Sequence, residues 1–189
     1  IPLNEQRLAI TLGDVAGKGM PAALLMAKLS AETRSCLLTV RQLTSAIAKL
    51  NDNLYPSTSP MDRFVTLIAV VLDATTHTAT IVNAGHPSPL VFRVGEGKFI
   101  AAIPAEDDGQ SLGMDLGNKY QSYDVQLDPG DFVLVYSDGV TDAQSIAGKP
   151  FRAKGIHAIL EQGTAVTPRS FGERLVDAVQ RHAIGGPQY

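Results

Sequence analysis

The twelve residues Leu8–Gly19, LAITLGDVAGKG, constrain the fold more than any other stretch of the chain. Leu8–Leu12 is an apolar run with Ile and Thr in it, the length of one strand. Gly13-Asp14 ends that run with a carboxylate, and Gly17 and Gly19 permit a sharp turn because glycine tolerates positive φ. A long helical pattern begins at once. The stretch therefore reads as a strand, a presented acid and a helix. The design returns far downstream, where the apolar strand Phe132–Tyr136 (FVLVY) runs into Ser137-Asp138-Gly139. Only the fold could bring Asp14 and Asp138 together.

Ile1–Arg7 reads as the tail of an earlier strand or turn, so the chain is expected to begin in mid-structure. Met20–Leu38 places Met20, Leu24, Ala27 and Ala31 at helical spacing, with Leu25, Leu29 and Cys36 widening the stripe. Pro21 falls in the first turn, where its missing N–H costs nothing. Thr39-x-x-Gln42 has the form of a capping box for a second helix, Thr39–Tyr55, whose stripe is Leu43, Ala46, Ile47, Leu50 and Leu54. So tight a connection predicts an antiparallel helix pair. Pro56–Pro60 (PSTSP) reads as the closing loop.

Strands are expected at Phe64–Asp73, Thr78–Asn83, Leu90–Val94 and Lys98–Ala101, with hairpin turns at Asp73–Thr76 and Gly95–Gly97. Phe64–Asp73 is apolar almost throughout, so both of its faces should be covered. Ala105–Gly117 is a polar loop and Tyr120–Leu127 alternates like a strand. Asp128-Pro129-Gly130-Asp131 then turns the chain into FVLVY. Ile156, Ile159 and Leu160 mark a helix that Gly163 would stop. Thr167-Pro168 opens a last helix with Phe171, Leu175, Ala178 and Val179 on its face. Runs of helices and runs of strands, rather than strict alternation, define an α+β layered fold. A β-sandwich with helices packed outside fits that order.

At 189 residues the chain reads as one domain, 1–189. Its net charge of −3 with no basic block argues against nucleic acid as a partner. No apolar run approaches the roughly 20 residues of a membrane span. No signal peptide is visible and Cys36 is the single cysteine, which together point to a reducing, cytoplasmic setting. Gly13-x-x-x-Gly17-Lys18-Gly19 is not a nucleotide loop: one residue is missing between its glycines and no Ser or Thr follows Lys18. No Gly-x-Ser-x-Gly elbow is present. Cys36 lies in a core stripe. His77, His86, His157 and His182 have no metal-ligand spacing, and His86 reads as a hydrogen-bonding residue at a tight turn. Asp14 and Asp138 remain. Asp-Gly is also an ordinary turn, but carboxylates at two strand ends suit Mg²⁺ or Mn²⁺, which prefer oxygen ligands.

Together these pieces resemble the SpoIIE-type branch of the PPM (PP2C-like) serine/threonine protein phosphatases. The resemblance is carried by Gly13-Asp14-Val15-Ala16-Gly17-Lys18-Gly19 with Pro21-Ala22-Ala23-Leu24, Phe64-Val65-Thr66-Leu67 and Asn83-Ala84-Gly85-His86-Pro87. Ser111-Leu112-Gly113-Met114, Leu127-x-Pro129-Gly130-Asp131 and Tyr136-Ser137-Asp138-Gly139-Val140-Thr141-Asp142 complete it, in family order across nearly the whole chain. It implies an α+β, PP2C-like α/β/β/α sandwich, with two central, mostly antiparallel sheets flanked by helix pairs. It also implies two divalent ions, Mn²⁺ or Mg²⁺, between the sheets. Phosphoserine or phosphothreonine would be hydrolysed by metal-activated water, with no phosphoenzyme. Asp14 resembles the bridging metal ligand, Val15 the residue that lends its backbone carbonyl, and Asp138 the acid of the second strand end. Asp14 and Asp138 are thus expected within reach of one ion.

The family's Gly-Gly-Asp motif would precede Ile1 and its Asp-Asp motif would follow Tyr189. Neither falls within these residues, so the domain is expected to be truncated at both ends or catalytically impaired. Asp142 stands where relatives often carry Glu. The helices Met20–Leu38 and Thr39–Tyr55 resemble the family's regulatory element, and Met20, Leu43, Leu50 and Leu54 are its expected contact residues. The implied partners are a phosphorylated protein, typically a STAS-type anti-anti-sigma factor, and an upstream sensor domain; a homodimer stays open. The alternative function is a phosphoprotein-binding or signalling module of the same fold without catalysis.

Overall fold

The computed structural model describes residues 1–104, 107–160 and 167–186. In chain order its elements are β1 (Arg7–Val15), α1 (Met20–Thr39), α2 (Leu43–Thr58), β2 (Val65–Asp73), β3 (Thr78–Ala84), β4 (Leu90–Arg93) and β5 (Lys98–Ala101). There follow β6 (Tyr123–Gln126), β7 (Phe132–Leu134), α3 (Asp138–Thr141), α4 (Arg152–Ala158) and α5 (Pro168–Ala183). They fall into two compact units, Ile1–Pro89 with Ala102–Leu127, and Leu90–Ala101 with Asp128–Tyr189.

The first unit is built on an antiparallel sheet of order β1-β2-β3-β6. β1 does not stop at Leu12. Gly13 pairs with Leu67, Asp14 with Thr66 and Val15 with Val65. Gly13 serves close packing here rather than a turn, since a Cβ on it would lie 3.0 Å from the side chains of both Leu29 and Leu67. β2 is buried through both of its alternating sets, as its composition predicts. The turn after it is closed by the Asp73 carboxylate, which accepts from the Thr75 and Thr76 amides at 2.9 and 3.3 Å.

The packed face of α1 differs from the expected one. Ala22, Leu25, Leu29, Thr33, Cys36 and Leu37 are buried, whereas Met20 and Leu24 are 72% and 65% exposed. Ala27 and Ala31 are exposed with them. The helix is apolar around most of its circumference, so spacing alone admits either stripe. The Thr39 capping box does not form either. Thr39 is the last residue of α1 and its hydroxyl donates to the Ser35 carbonyl at 2.7 Å. Val40 then turns extended, and Gln42 stands before α2.

α2 passes through Pro56 to Thr58 and runs into a 3₁₀ turn, Ser59–Met61, where a loop was expected. Proline forfeits one backbone bond so close to a helix end. The Thr58 hydroxyl fastens that end by donating to the Gly113 carbonyl at 2.7 Å. The helices are antiparallel, as predicted. Lys28 reaches the Asn53 carbonyl and the Ser57 hydroxyl, each at 2.8 Å, while Glu32 one turn on accepts from Asn53 at 2.8 Å. Ala46, Ile47, Leu50 and Leu54 are buried and Leu43 partly so. They pack with Val15, Leu67, Ala69, Val71, Val82 and Ala84 of the sheet in one core.

The second unit is an antiparallel sheet of order β5-β4-β7 with α3, α4 and α5. The FVLVY strand ends at Leu134, two residues early. Its last partner is Leu90, and the next would be Pro89, which has no N–H to donate. Tyr136 instead joins the core of Phe92, Phe99, Phe132, Ile156, Ile159, Phe171 and Leu175. Phe99 meets Phe171 edge-on at 5.0 Å and Phe92 stacks on Phe132 at 5.1 Å. Thr167 caps α5 by accepting from the Ser170 amide at 3.1 Å. Gly163, the expected stop of the preceding helix, lies outside the described residues. Among those residues no helix is long and apolar enough to cross a membrane.

Candidate active site

Asp14 sits in the last turn of the β1 ladder rather than beyond it. Its side chain is exposed and makes no hydrogen bond or ion pair with a described residue. The residues that pack on α1 and α2 are the odd-numbered ones of β1 and β2 (Ala9, Val15, Leu67, Ala69 and Val71). Alternation therefore puts Asp14 on the opposite face. Thr66, directly across from it, shares that face with a Cβ about 4.5–5.5 Å away. The Thr66 hydroxyl is hydrogen-bonded to Nδ1 of His86 at 2.9 Å. His86 is 2% exposed. Asn83 pins its backbone, accepting from the His86 amide at 2.9 Å and donating to its carbonyl at 2.8 Å.

Val15 has a free carbonyl direction for a reason visible in the ladder. Val65, its partner, exchanges both backbone bonds with Leu112, at 3.1 and 2.8 Å. The Val15–Val65 pair is therefore of the non-hydrogen-bonded kind, and the Val15 carbonyl lies outside the β1–β2 ladder. Leu112 is held in turn from α2, where the buried Asn51 accepts from the Gly113 amide at 2.9 Å and donates to the Asp115 carbonyl at 2.7 Å. Tyr120 closes this network, and its phenol is pushed up to about 12, chiefly by burial.

In the second unit Asp138 opens α3, four residues after Leu134 ends β7, with Ser137 before it. Its carboxylate is also exposed and unengaged by described residues. Asp142 closes the same turn, its amide donating to the Asp138 carbonyl at 2.7 Å. Met20, Leu43, Leu50 and Leu54 lie on the helix pair of the first unit. Cys36 is buried in that core, and burial raises its thiol pKa, as a packing role requires. Among the described residues no group of three or more His, Cys, Asp and Glu comes together. In the first unit the donors are the unengaged Asp14 carboxylate and the Val15 carbonyl, hard oxygens of the kind that Mg²⁺ or Mn²⁺ accepts while keeping several waters. The second unit offers the Asp138 carboxylate.

The reading of His86 as a hydrogen-bonding residue at a tight turn holds. Sequence reasoning passed over its partner Thr66, although Thr66 falls inside a motif that carries the resemblance. It passed over Arg63 altogether. Nothing in the composition around Arg63 marks it; its interest comes from what the fold sets beside it.

An antiparallel four-stranded sheet under a helix pair, with a three-stranded antiparallel sheet and its own helices, is a PP2C-like α+β fold. The SiaA-PP2C domain of Pseudomonas aeruginosa superposes with a TM-score of 0.80 at 20% identity, over 98% of this chain and 73% of that one. The PP2C phosphatase domain with a regulatory fragment of SpoIIE from Bacillus subtilis gives 0.76 at 16% identity, over 98% and 53%. RsbX in complex with magnesium gives 0.67 at 14%, over 96% and 77%. The chain belongs to the SpoIIE family: the family model described as Stage II sporulation protein E matches residues 4–188. Protein IcfG of Synechocystis is 27% identical over 97% of the chain. Phosphoserine phosphatase RsbU of Bacillus subtilis is 26% identical over 77% of it. The chain spans 32% and 42% of the lengths of those two relatives.

Proposed function

We propose that residues 1–189 act as one metal-dependent phosphatase domain for phosphoserine and phosphothreonine in bacterial signalling. The observation that carries this reading is the family match over residues 4–188. The relative RsbU, named as a phosphoserine phosphatase, supports the substrate class. The protein substrate is a phosphorylated STAS-type anti-anti-sigma factor in the cytoplasm, and the signal comes from an upstream sensor domain. Asp14, the Val15 carbonyl and Asp138 would hold Mn²⁺ or Mg²⁺, with two ions expected. Magnesium on RsbX supports that choice. When bound, a divalent ion supplies Lewis acidity toward water and the phosphoryl oxygens.

The chain's own residues do the positioning. The β1–β2 register fixes Asp14 opposite Thr66, and His86 holds Thr66 from beneath. The Leu112 bridge sets the direction of the Val15 carbonyl. Gly17 and Gly19, at φ of +104° and +83°, make the turn that follows Asp14. Met20, Leu43, Leu50 and Leu54 would pass the regulatory signal through α1 and α2.

The test is hydrolysis of a phosphoserine peptide by the protein as encoded. Phosphate release should require added Mn²⁺ or Mg²⁺, and Asp14→Asn or Asp138→Asn should lower turnover by about 100-fold. Full activity in excess chelator would overturn the metal-dependent reading. Tight binding of the peptide without hydrolysis would establish the non-catalytic module instead.

A further inference from the structure

Arg63 stands between the 3₁₀ turn and β2, immediately before Phe64, whose carbonyl accepts from the Ala16 amide at 3.0 Å. That bond brings Arg63 beside the segment that follows Asp14. Its guanidinium lies flat against Gly17. A Cβ on Gly17 would come within 3.1 Å of Nη1, 3.2 Å of Cζ and 3.5 Å of Nη2. Gly17 has φ of +104°, so glycine is required there twice over, by its backbone and by the guanidinium on it.

The guanidinium has no partner to account for this placement. It makes no hydrogen bond or ion pair with a described residue, and Nη1 is buried with its protons unmatched. Leaving a charged donor buried and unpaired is costly, and a catalytic role or a bound ion is among the reasons native proteins do so. Buried guanidinium nitrogens without a hydrogen-bond partner also occur on Arg7 and Arg174, but Arg7 has Asp73 at 3.6 Å and Arg174 reaches the Ser170 carbonyl at 3.3 Å. Arg93 spends its charge on Asp131 at 2.7 Å. A planar cation with free donors, next to an exposed carboxylate segment, suits an oxyanion with several equivalent oxygens.

We propose that Arg63 is a phosphoryl-binding residue, donating from its guanidinium to an oxygen of the substrate phosphomonoester and of the inorganic phosphate released. The proposal rests on the phosphatase reading for its substrate class. Arg63 sets affinity and orientation, while the water activation assigned to the Asp14 and Asp138 ions is unaffected by it.

The test uses Arg63→Met and Arg63→Lys in the protein as encoded, with two readouts. The first is the rise in melting temperature on adding inorganic phosphate in the presence of Mn²⁺. The second is KM, kcat and competitive inhibition by phosphate with a phosphoserine peptide. Arg63→Met should weaken phosphate binding and raise KM by about tenfold or more. Arg63→Lys should recover part of the loss, and neither variant should melt lower than the parent without phosphate. Unchanged KM and an unchanged phosphate response in a folded Arg63→Met overturn the assignment. A drop in the ligand-free melting temperature with normal phosphate binding also overturns it, making Arg63 a packing residue. A parent protein that binds phosphate through Arg63 but never hydrolyses the peptide supports the assignment and refutes the phosphatase reading.

Discussion

Asp131 shows how much one side chain can organise, and how far a turn signal can be trusted. Asp128-Pro129-Gly130-Asp131 was legible as a turn from its residue types, and the Asp131 amide does close it on the Asp128 carbonyl at 2.9 Å. The sequence could not show that the carboxylate also accepts from Arg93, from the Val94 amide and from the Asp128 amide. Arg93 and Val94 lie across the β4–β7 pairing, which local composition does not encode. Burial alone would raise the pKa of Asp131, but the Arg93 bond and the two amides outweigh it and hold the group below the ordinary 3.8. A depressed folded-state value means that the contribution to stability is present above pH 3.8 and is lost as pH falls through the folded pKa. Urea midpoints of the parent and Asp131→Asn should therefore differ at pH 7 and converge as pH falls through the folded-state pKa of Asp131. A gap that stays constant with pH would refute the ion-pair account.

At the scale of elements, the α2 stripe was legible because one face is apolar and the other carries Lys49, Asp52 and Asn53. The α1 face was not, because apolar residues surround it and only contact with Gly13 and Leu67 selects Leu29. Leu50 is fully buried in the core α2 shares with the sheet, so Leu50→Ala should cost about 2–5 kcal/mol in chemical denaturation. Leu43 is only partly buried, so Leu43→Ala should fold and serve as the functional probe. If the helix pair regulates the site, that variant shifts Mn²⁺ affinity or the response to the upstream signal. Unchanged affinity and regulation across folded Leu43 and Leu54 variants would leave α1 and α2 as scaffold. A regulatory role also demands two arrangements with different contacts. The Asn51 and Thr58 bonds to the 113–115 backbone are the ones to compare between states.

For the whole molecule, both hydrophobic cores are complete without an ion. Chelation should accordingly abolish hydrolysis while leaving the far-ultraviolet circular dichroism and the melting profile nearly unchanged; a large loss of structure on chelation would contradict this. The order of elements was readable from period and turn chemistry apart from the four-residue α3, but the division into units was not. That division cuts the chain twice, since Leu90–Ala101 belongs with Asp128–Tyr189 while the residues on either side of it belong to the other unit. Neither unit is continuous in sequence. During synthesis, β6 joins β3 only after the β4–β5 hairpin has emerged and been set aside. That hairpin must then wait for β7, more than thirty residues on, before its second edge is paired. A nascent chain halted at Leu127 would thus display an unpaired β4 edge flanked by Phe92 and Phe99, the kind of surface that recruits chaperones.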